Sequence, residues 1–512
     1  MKILVVSLLR LGDFIQALPV VAGIQRKFPQ AKIDVLVHSP VVALRPMIPS
    51  VSRWFTVDRE ELQSGLGRAD IPLLTSFDIL REQCEQLSAE KYDLIINVTQ
   101  TEFSGWLMGY ISAKTKVGLC FNVRGQASFN SSWFRYLNQH ADRSVPDVLN
   151  YSDIFSYACE VSEEPRIWPI HVTPQGEQEA MALPLPAGEV IAVQALTSDV
   201  KKNWHPTKWN QWLDAMCVLR PAAHFAFLGS PAERSLLQEI LAGAADSTRV
   251  TLAIVSLDGA LAVLNRATLL VTGDTSIKHL ANAGSCSVLE LSMGSSDYRR
   301  TGIYKENSLI LQGPAACAPC PHSTPCSQVS HLCSDAISVG AVVAATDLLL
   351  KSDWEGLRQA ARSFSVKFLR TRVMATGFWY AGDLAGPDAV ATVDTWIKRS
   401  AYKFLLNGGD KGLLPKFGSE VYQLGAEITQ LVPPEGIQPV LAHLEFLEDE
   451  LGRRQIETTA ERRRFEPLTG IGKIPDLASL RQIEMRLENE RREIEVKAKL
   501  VRSLKTKLLE PS

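Results

Sequence analysis

The opening of this chain limits its fold more than any other feature. An apolar run is followed by a tight turn, a helical pattern and a second apolar run. Residues 2–8 (KILVVSL) are β-branched and uncharged after Lys2, as expected of a strand buried on both faces. Arg10-Leu11-Gly12-Asp13 turns the chain, and Ile15, Leu18, Val21 and Ile24 then recur at helical spacing. Residues 32–38 (KIDVLVH) and 92–98 (YDLIINV) read as further strands. Strand, helix and strand in succession predict a parallel sheet with helices on both faces.

The pattern starts again further on. Residues 165–188 are rich in proline and glycine and read as a link. Strands are then expected at 189–194, 224–229, 268–273, 287–292 and 308–312, with helical patterns between them. A chain of 512 residues is also too long for one compact core. The expected organisation is α/β, with two doubly wound Rossmann-like domains facing a cleft. They would span 1–170 and 186–350, followed by a helical region at 351–432 and a charged tail at 433–512. In that tail Leu480, Leu487, Ile494, Val501 and Leu508 recur every seven residues. This is one row of a coiled-coil seam, through which a homo-oligomer could form. The companion row (Glu484, Arg491, Ala498, Lys505) is poor, so a long amphipathic helix packed on its own domain is an equal reading.

Composition excludes several classes. Hydrophobic residues make up 46%, charged residues 21%, and the net charge is −2. This is ordinary globular composition. It lacks the basic excess of a nucleic-acid binder, so no nucleic-acid partner is expected. No apolar stretch reaches the roughly 18 residues of a membrane span. Arg10 and Asp13 interrupt the N-terminal apolar run, so it reads as a first strand rather than a signal peptide, and the expected location is cytoplasmic.

Ligands of doubly wound sheets bind at the carboxyl ends of the strands, so loops just after strands are the candidate sites. The first loop holds Arg10, Gly12 and Asp13. Asp13 is either a helix cap or a carboxylate able to take a proton from a hydroxyl. The second runs from Thr197 and Ser198 to Lys202 and Trp204, where hydroxyls, a helix start and a lysine suit a diphosphate. An exposed polar loop is the plain alternative. The third is Asp274-Thr275-Ser276-Ile277-Lys278-His279. There Asp274 is either a cap or a partner for ribose hydroxyls. No glycine-rich dinucleotide fingerprint is present. Nor is there an Asp-x-Asp pair to hold a divalent metal, so a leaving diphosphate would rely on basic residues and helix dipoles.

Nine cysteines occur, and four of them cluster: Cys317, Cys320, Cys326 and Cys333. Four thiols within 17 residues can close a tetrahedral structural site for zinc or iron. His322 and His331 are substitute ligands, and reduced thiols are the alternative. Near the first sheet, Trp106, Tyr110, Lys114, Lys116 and Arg124 could form an aromatic and basic face for a membrane-bound acceptor, with a buried aromatic pair as the alternative.

In this order, the motifs over about residues 1–350 resemble the ADP-heptose glycosyltransferases, the lipopolysaccharide heptosyltransferases of glycosyltransferase family 9. The resemblance rests on Arg10-x-Gly12-Asp13, Leu18-Pro19, Lys202-x-Trp204 and Asp274-Thr275-Ser276-x-x-His279, with the cysteine cluster after them. It implies a GT-B fold and inverting transfer from an ADP-sugar to a lipopolysaccharide-core or protein hydroxyl. Peripheral association with the inner membrane would accompany a lipid acceptor. By resemblance Asp13 is the base, and Lys202 with Thr197 and Ser198 binds the departing diphosphate. Asp274, Thr275, Ser276 and His279 then sit at the donor, and no catalytic metal is needed. Three departures stand out, one of them being that residues 351–512 have no counterpart in the core-oligosaccharide enzymes. Ser276 replaces a glycine of the family pattern, and His205 is inserted before Pro206. A catalytically degenerate sugar-nucleotide module with a docking tail is the competing reading.

Overall fold

The computed structural model describes residues 1–58, 61–62, 74–139, 149–162, 165–245, 248–322, 324–374, 377–386, 389–407, 425–426, 428, 434–469 and 477–509. The chain divides into two compact units. One comprises Met1–Arg372 with Trp379–Ala385, and the other Val373–Phe378 with Gly386–Ser512.

The larger unit contains both α/β lobes. The first lobe has five strands: β1 (Lys2–Ser7), β2 (Lys32–His38), β3 (Arg53–Val57), β4 (Tyr92–Asn97) and β5 (Ala113–Val117). They lie in the order β3-β2-β1-β4-β5, and every pairing is parallel. Ile3 to Val6 are fully buried, because helices cover both faces of the central strand. A short ribbon follows, made of β6 (Cys120–Phe121) and β7 (Ala127–Ser128).

The second lobe repeats this order. Its strands are β8 (Val190–Gln194), β9 (His224–Gly229), β10 (Val250–Ile254), β11 (Leu269–Thr272), β12 (Ser287–Ser292) and β13 (Leu309–Gln312), with β14 (Lys367–Val373) and β15 (Trp379–Asp383) extending the sheet. The spatial order is β10-β9-β8-β11-β12-β13-β14-β15. In both sheets the strand order reverses beside the first strand, at β1/β4 and β8/β11. That switch point leaves a crevice at the carboxyl ends.

Residues 351–432 were expected to be helical, and there the structure differs. Trp354–Ser363 and Ala389–Leu406 are helices, but β14 and β15 belong to the second sheet. β14 pairs antiparallel with β13, with Leu311 opposite Phe368 and Leu309 opposite Arg370. The exposed edge of β13 recruits KFLRTRV as a strand, a tertiary effect that helical spacing does not register. Part of that region, including 408–424, lies outside the described residues.

In the smaller unit the helices Pro434–Thr469 and Leu477–Leu509 form an antiparallel hairpin. Arg454 pairs with Glu490 at 2.8 Å, Arg502 with Glu448 at 2.9 Å and Lys505 with Glu445 at 3.1 Å. Leu487, Ile494 and Val501 are buried in this unit, where the helix also packs on Ala389–Leu406. Of the two readings of the heptad row, a seam between copies and a helix packed on its own domain, the structure shows the row covered within one chain. The Leu480 side chain lies outside the described residues.

Candidate active site

The two lobes of the larger unit face a cleft of about 1190 Å³. Arg10, Gly12, Asp13, Thr197, Ser198, Lys202, Asp274, Thr275, Ser276 and His279 all line it. Three loops far apart in sequence therefore converge, because each leaves a strand beside a switch point. At the far end Leu196, Leu228, Val255 and Leu257 supply apolar wall, with Ser230 and Glu233 beside them.

Asp13 lies in the first turn of the helix Leu11–Lys27. Its Oδ2 accepts a hydrogen bond from the Arg10 backbone N–H at 3.0 Å, so it does help to cap the helix. Its other oxygen remains for a ligand in the cleft. Desolvation raises the carboxyl above its usual range; the Arg10 amide and guanidinium oppose that rise, and Asp274 adds to it. A raised carboxyl is a stronger base. Gly12 brings the lobes together. A Cβ there would stand 3.1 Å from His279 Cδ2 and 3.8 Å from Ser276 Cα.

Opposite Asp13 runs a row of alternating charges. Lys202 Nζ donates to Asp274 Oδ2 at 2.7 Å, and Lys278 Nζ donates to Asp274 Oδ1 at 2.6 Å and Glu290 Oε1 at 2.8 Å. Glu290 Oε2 accepts from the Ile303 N–H at 2.9 Å. Lys278 and Glu290 are fully buried. Burial alone would raise the Asp274 carboxyl, but Lys278 and Lys202 hold it well below the usual range. Burial raises the Glu290 carboxyl against the pull of Lys278. Asp274 therefore does not present a free carboxylate to a ribose, and both its oxygens hold lysines. Nor does it cap the following helix, because Thr275 is the N-cap and accepts from the Lys278 N–H at 3.2 Å. Burial, then Lys278, lowers the imidazole of His279 to about 3, so it is neutral at physiological pH. Ser276 lies in the first turn of that helix and is not among the described residues with positive φ, so a serine fits the backbone there without strain.

The Thr197 loop is braced from below. Thr197 N–H donates to Asn203 Oδ1 at 2.8 Å, and its hydroxyl donates to the Asp199 carbonyl at 2.7 Å. Ser198 is exposed to the cleft. Ser295 Oγ donates to Asp199 Oδ2 at 2.7 Å. Gly294, with φ +60, lies so close to the Lys201 carbonyl that a Cβ would stand 2.0 Å from it. His205 does not displace the loop. It forms the N-cap of Pro206–Leu219, its Nδ1 accepting from the Thr207 N–H at 3.3 Å.

The family model for glycosyltransferase family 9 (heptosyltransferase) matches residues 80–329. Lipopolysaccharide heptosyltransferase 1 of Pseudomonas aeruginosa is 26% identical over 330 residues, covering 63% of this chain and 87% of that protein. A glycosyl transferase family 9 protein from Veillonella parvula superposes with a TM-score of 0.53 at 16% identity, over 69% of this chain and 98% of that one. The E. coli ADP-heptose lps heptosyltransferase II gives 0.50 at 16% identity, over 69% and 99%. Over residues 80–329 the chain resembles the family 9 glycosyltransferases. Its fold is the GT-B arrangement of that family, with further helices at the C-terminal end.

The cysteine cluster lies on a loop that reaches the cleft at His322. Lys201 Nζ donates to the carbonyls of Pro321 (2.9 Å), His322 (3.3 Å) and Thr324 (2.6 Å), and so folds the cysteine loop onto the Thr197 loop. His331 bonds the Lys201 carbonyl at 2.7 Å. Burial raises the Cys320 thiol, and Cys333, Cys317 and Cys326 raise it further, so the four sulfurs feel one another. Cys333 is buried while Cys317 and Cys326 are exposed. Among the described residues no group of three or more His, Cys, Asp or Glu is set to hold a metal.

The aromatic and basic patch near the first sheet also differs from expectation. Trp106 and Tyr110 are exposed, and Trp106 stacks on Phe121 with centroids 4.9 Å apart. Lys114 is paired with Asp93 at 2.6 Å, and Lys116 bonds the Gly109 carbonyl at 3.3 Å. Sequence reasoning passed over Lys278 and Glu290, although an acid in the middle of the buried strand SVLELS was a usable signal. It also passed over Gln16, His38, Tyr151 and Arg300, which line the cleft without any motif to mark them.

Proposed function

We propose that this glycosyltransferase moves heptose, or a related sugar, from an ADP-activated donor to a hydroxyl of a lipopolysaccharide core or a protein, with inversion. The observation that carries this reading is the position of Asp13: a carboxyl raised by desolvation, facing the Lys202–Asp274 pair across one cleft. The acceptor oxygen attacks the anomeric carbon as the bond to the diphosphate breaks. Asp13 takes the hydroxyl proton. The negative charge that develops on the diphosphate draws Lys202 into sharing between Asp274 and phosphate, with the Ser198 hydroxyl as donor, while the Thr197 hydroxyl stays on the Asp199 carbonyl and holds the loop. Neutral His279 adds a hydrogen bond rather than a charge. No divalent metal takes part in this scheme.

The names of the relatives support the donor and the lipopolysaccharide acceptor. The unstrained Ser276 and the intact Asp13 and Lys202 favour turnover over a degenerate binding module. Among the described residues no helix is long and apolar enough to cross a membrane. Cytoplasmic action, at the inner membrane where the acceptor is lipid-linked, belongs to the same proposal. Cys317, Cys320, Cys326 and Cys333 are the candidate ligands of a structural zinc or iron. Metal analysis of the purified chain tests this, and a metal-free folded protein would end it. The central experiment is ADP release from ADP-heptose, alone and with each acceptor, beside Asp13→Ala. Release that depends on acceptor and on Asp13 is expected. Release insensitive to Asp13 would refute the assignment.

A further inference from the structure

We infer that Gln16 is a substrate-positioning residue that selects an acceptor carrying two adjacent hydroxyls, a sugar diol rather than the lone hydroxyl of serine or threonine. This rests on the proposed transfer reaction and on the role of Asp13 in it. Gln16 is one helical turn beyond Asp13, so the two side chains share a face with their Cβ atoms about 5–6 Å apart. Both line the cleft. Gln16 is only 2% exposed, and its Oε1 has no hydrogen-bond partner among the described residues. Its neighbours Phe14, Ile15, Ala17 and Leu18 are buried apolar side chains, among which leucine would be the cheaper choice.

The turn is held in place by Ser152 Oγ, which donates to the Gln16 carbonyl at 2.9 Å. A buried amide left unpaired is costly unless a ligand completes it. The amide accepts at Oε1 and donates at Nε2, so it matches a hydroxyl in either sense. With the nucleophilic hydroxyl on Asp13, the neighbouring hydroxyl of a sugar ring reaches Gln16. A serine side chain would satisfy Asp13 alone and leave Gln16 unpaired. Sites built around such a hydrogen bond reject substrates that lack it.

The test uses the full chain and Gln16→Leu, which keeps the volume and removes the polar atoms. The acceptors are a core oligosaccharide with a free vicinal diol, its monodeoxy counterpart and a serine peptide. The wild type is expected to lose about tenfold or more in kcat/KM on the monodeoxy acceptor, the size of one hydrogen bond. Gln16→Leu is expected to abolish that difference, to keep the ADP-heptose Kd within about twofold, and to leave the melting temperature of the free protein unchanged or higher. The inference is overturned if the diol preference survives in Gln16→Leu, or if the serine peptide is used as well as the diol. It is equally overturned if the variant melts several degrees lower, because the amide would then be structural. Failure of the donor reading shows separately, as ADP-heptose that neither binds nor turns over. In that case the melting comparison and direct binding of the two sugars still decide the role of Gln16.

Discussion

Replacing Lys278 by methionine tests the energetic reasoning most directly. The Lys278 ammonium is fully buried and lies 2.6 Å from Asp274 and 2.8 Å from Glu290. Methionine fills similar space and cannot neutralise either acid. Asp274 keeps Lys202, but among the described residues Glu290 keeps only the Ile303 N–H. Removing one partner from a buried pair costs about 3–5 kcal/mol. For a lobe of this size that is about 6–20 °C in Tm. The pH dependence has a definite sign. The Glu290 carboxyl already lies above its ordinary 4.5, and without Lys278 it rises further. The folded state then binds a proton that the unfolded state releases, so the penalty is full above the raised value and fades as pH falls toward 4.5. Urea titrations of the wild type, Lys278→Met, and Lys278→Met with Glu290→Gln at two pH values read all three points. The double variant should recover much of the loss. The reasoning is refuted if Lys278→Met costs less than about 1 kcal/mol, a value typical of exposed pairs, or if the two substitutions simply add.

Three further outcomes follow from the geometry. Asp13→Asn should slow ADP release by about 10²–10⁴-fold with ADP-heptose binding retained, while the wild-type rate should fall on acidification at a pH above an ordinary carboxylate's 3.8; an acid limb at or below 3.8 would contradict the desolvation argument. Gly12→Ala puts a methyl 3.1 Å from His279 Cδ2, and the roughly 1 kcal/mol gained in helix propensity should hide the crowding in Tm but not in kcat/KM, which should drop about tenfold or more; an unchanged kcat/KM would mean that the lobes can adjust freely. Leu487→Asp buries a charge inside the helical hairpin and should cost at least about 3 kcal/mol, seen as helix loss by circular dichroism; an intact hairpin with a reduced oligomer mass by light scattering would instead place the heptad row between chains.

Much of the second sheet was legible because parallel strands buried on both faces are written as unbroken apolar runs. HFAFLG and SVLELS became β9 and β12 with the expected limits. Arg53–Val57 was not legible, because it is a short outer strand in which Arg53 and Thr56 interrupt the apolar run. β14 was not legible either, since its strand form depends on the edge of β13. The seven-residue repeat announced a helix with one apolar face but not what covers it. A hairpin within the chain and a seam between chains bury the same leucines.

The candidate site divides in the same way. The sequence alone determined which loops follow strands, and so that Asp13, Lys202 and Asp274 would gather at one cleft. That consequence needs only right-handed crossovers and a switch point. Only the tertiary structure decided how those charges are spent. Asp274 holds two lysines, Glu290 reaches the row from β12, and among the described residues Gln16 Oε1 has no partner, one turn from Asp13. Pairing and burial depend on distances of a few ångströms between residues up to 88 positions apart, as in the Lys202–Asp274–Lys278–Glu290 row. Nothing in local sequence encodes such distances, because they come into being only when the sheets and helices pack.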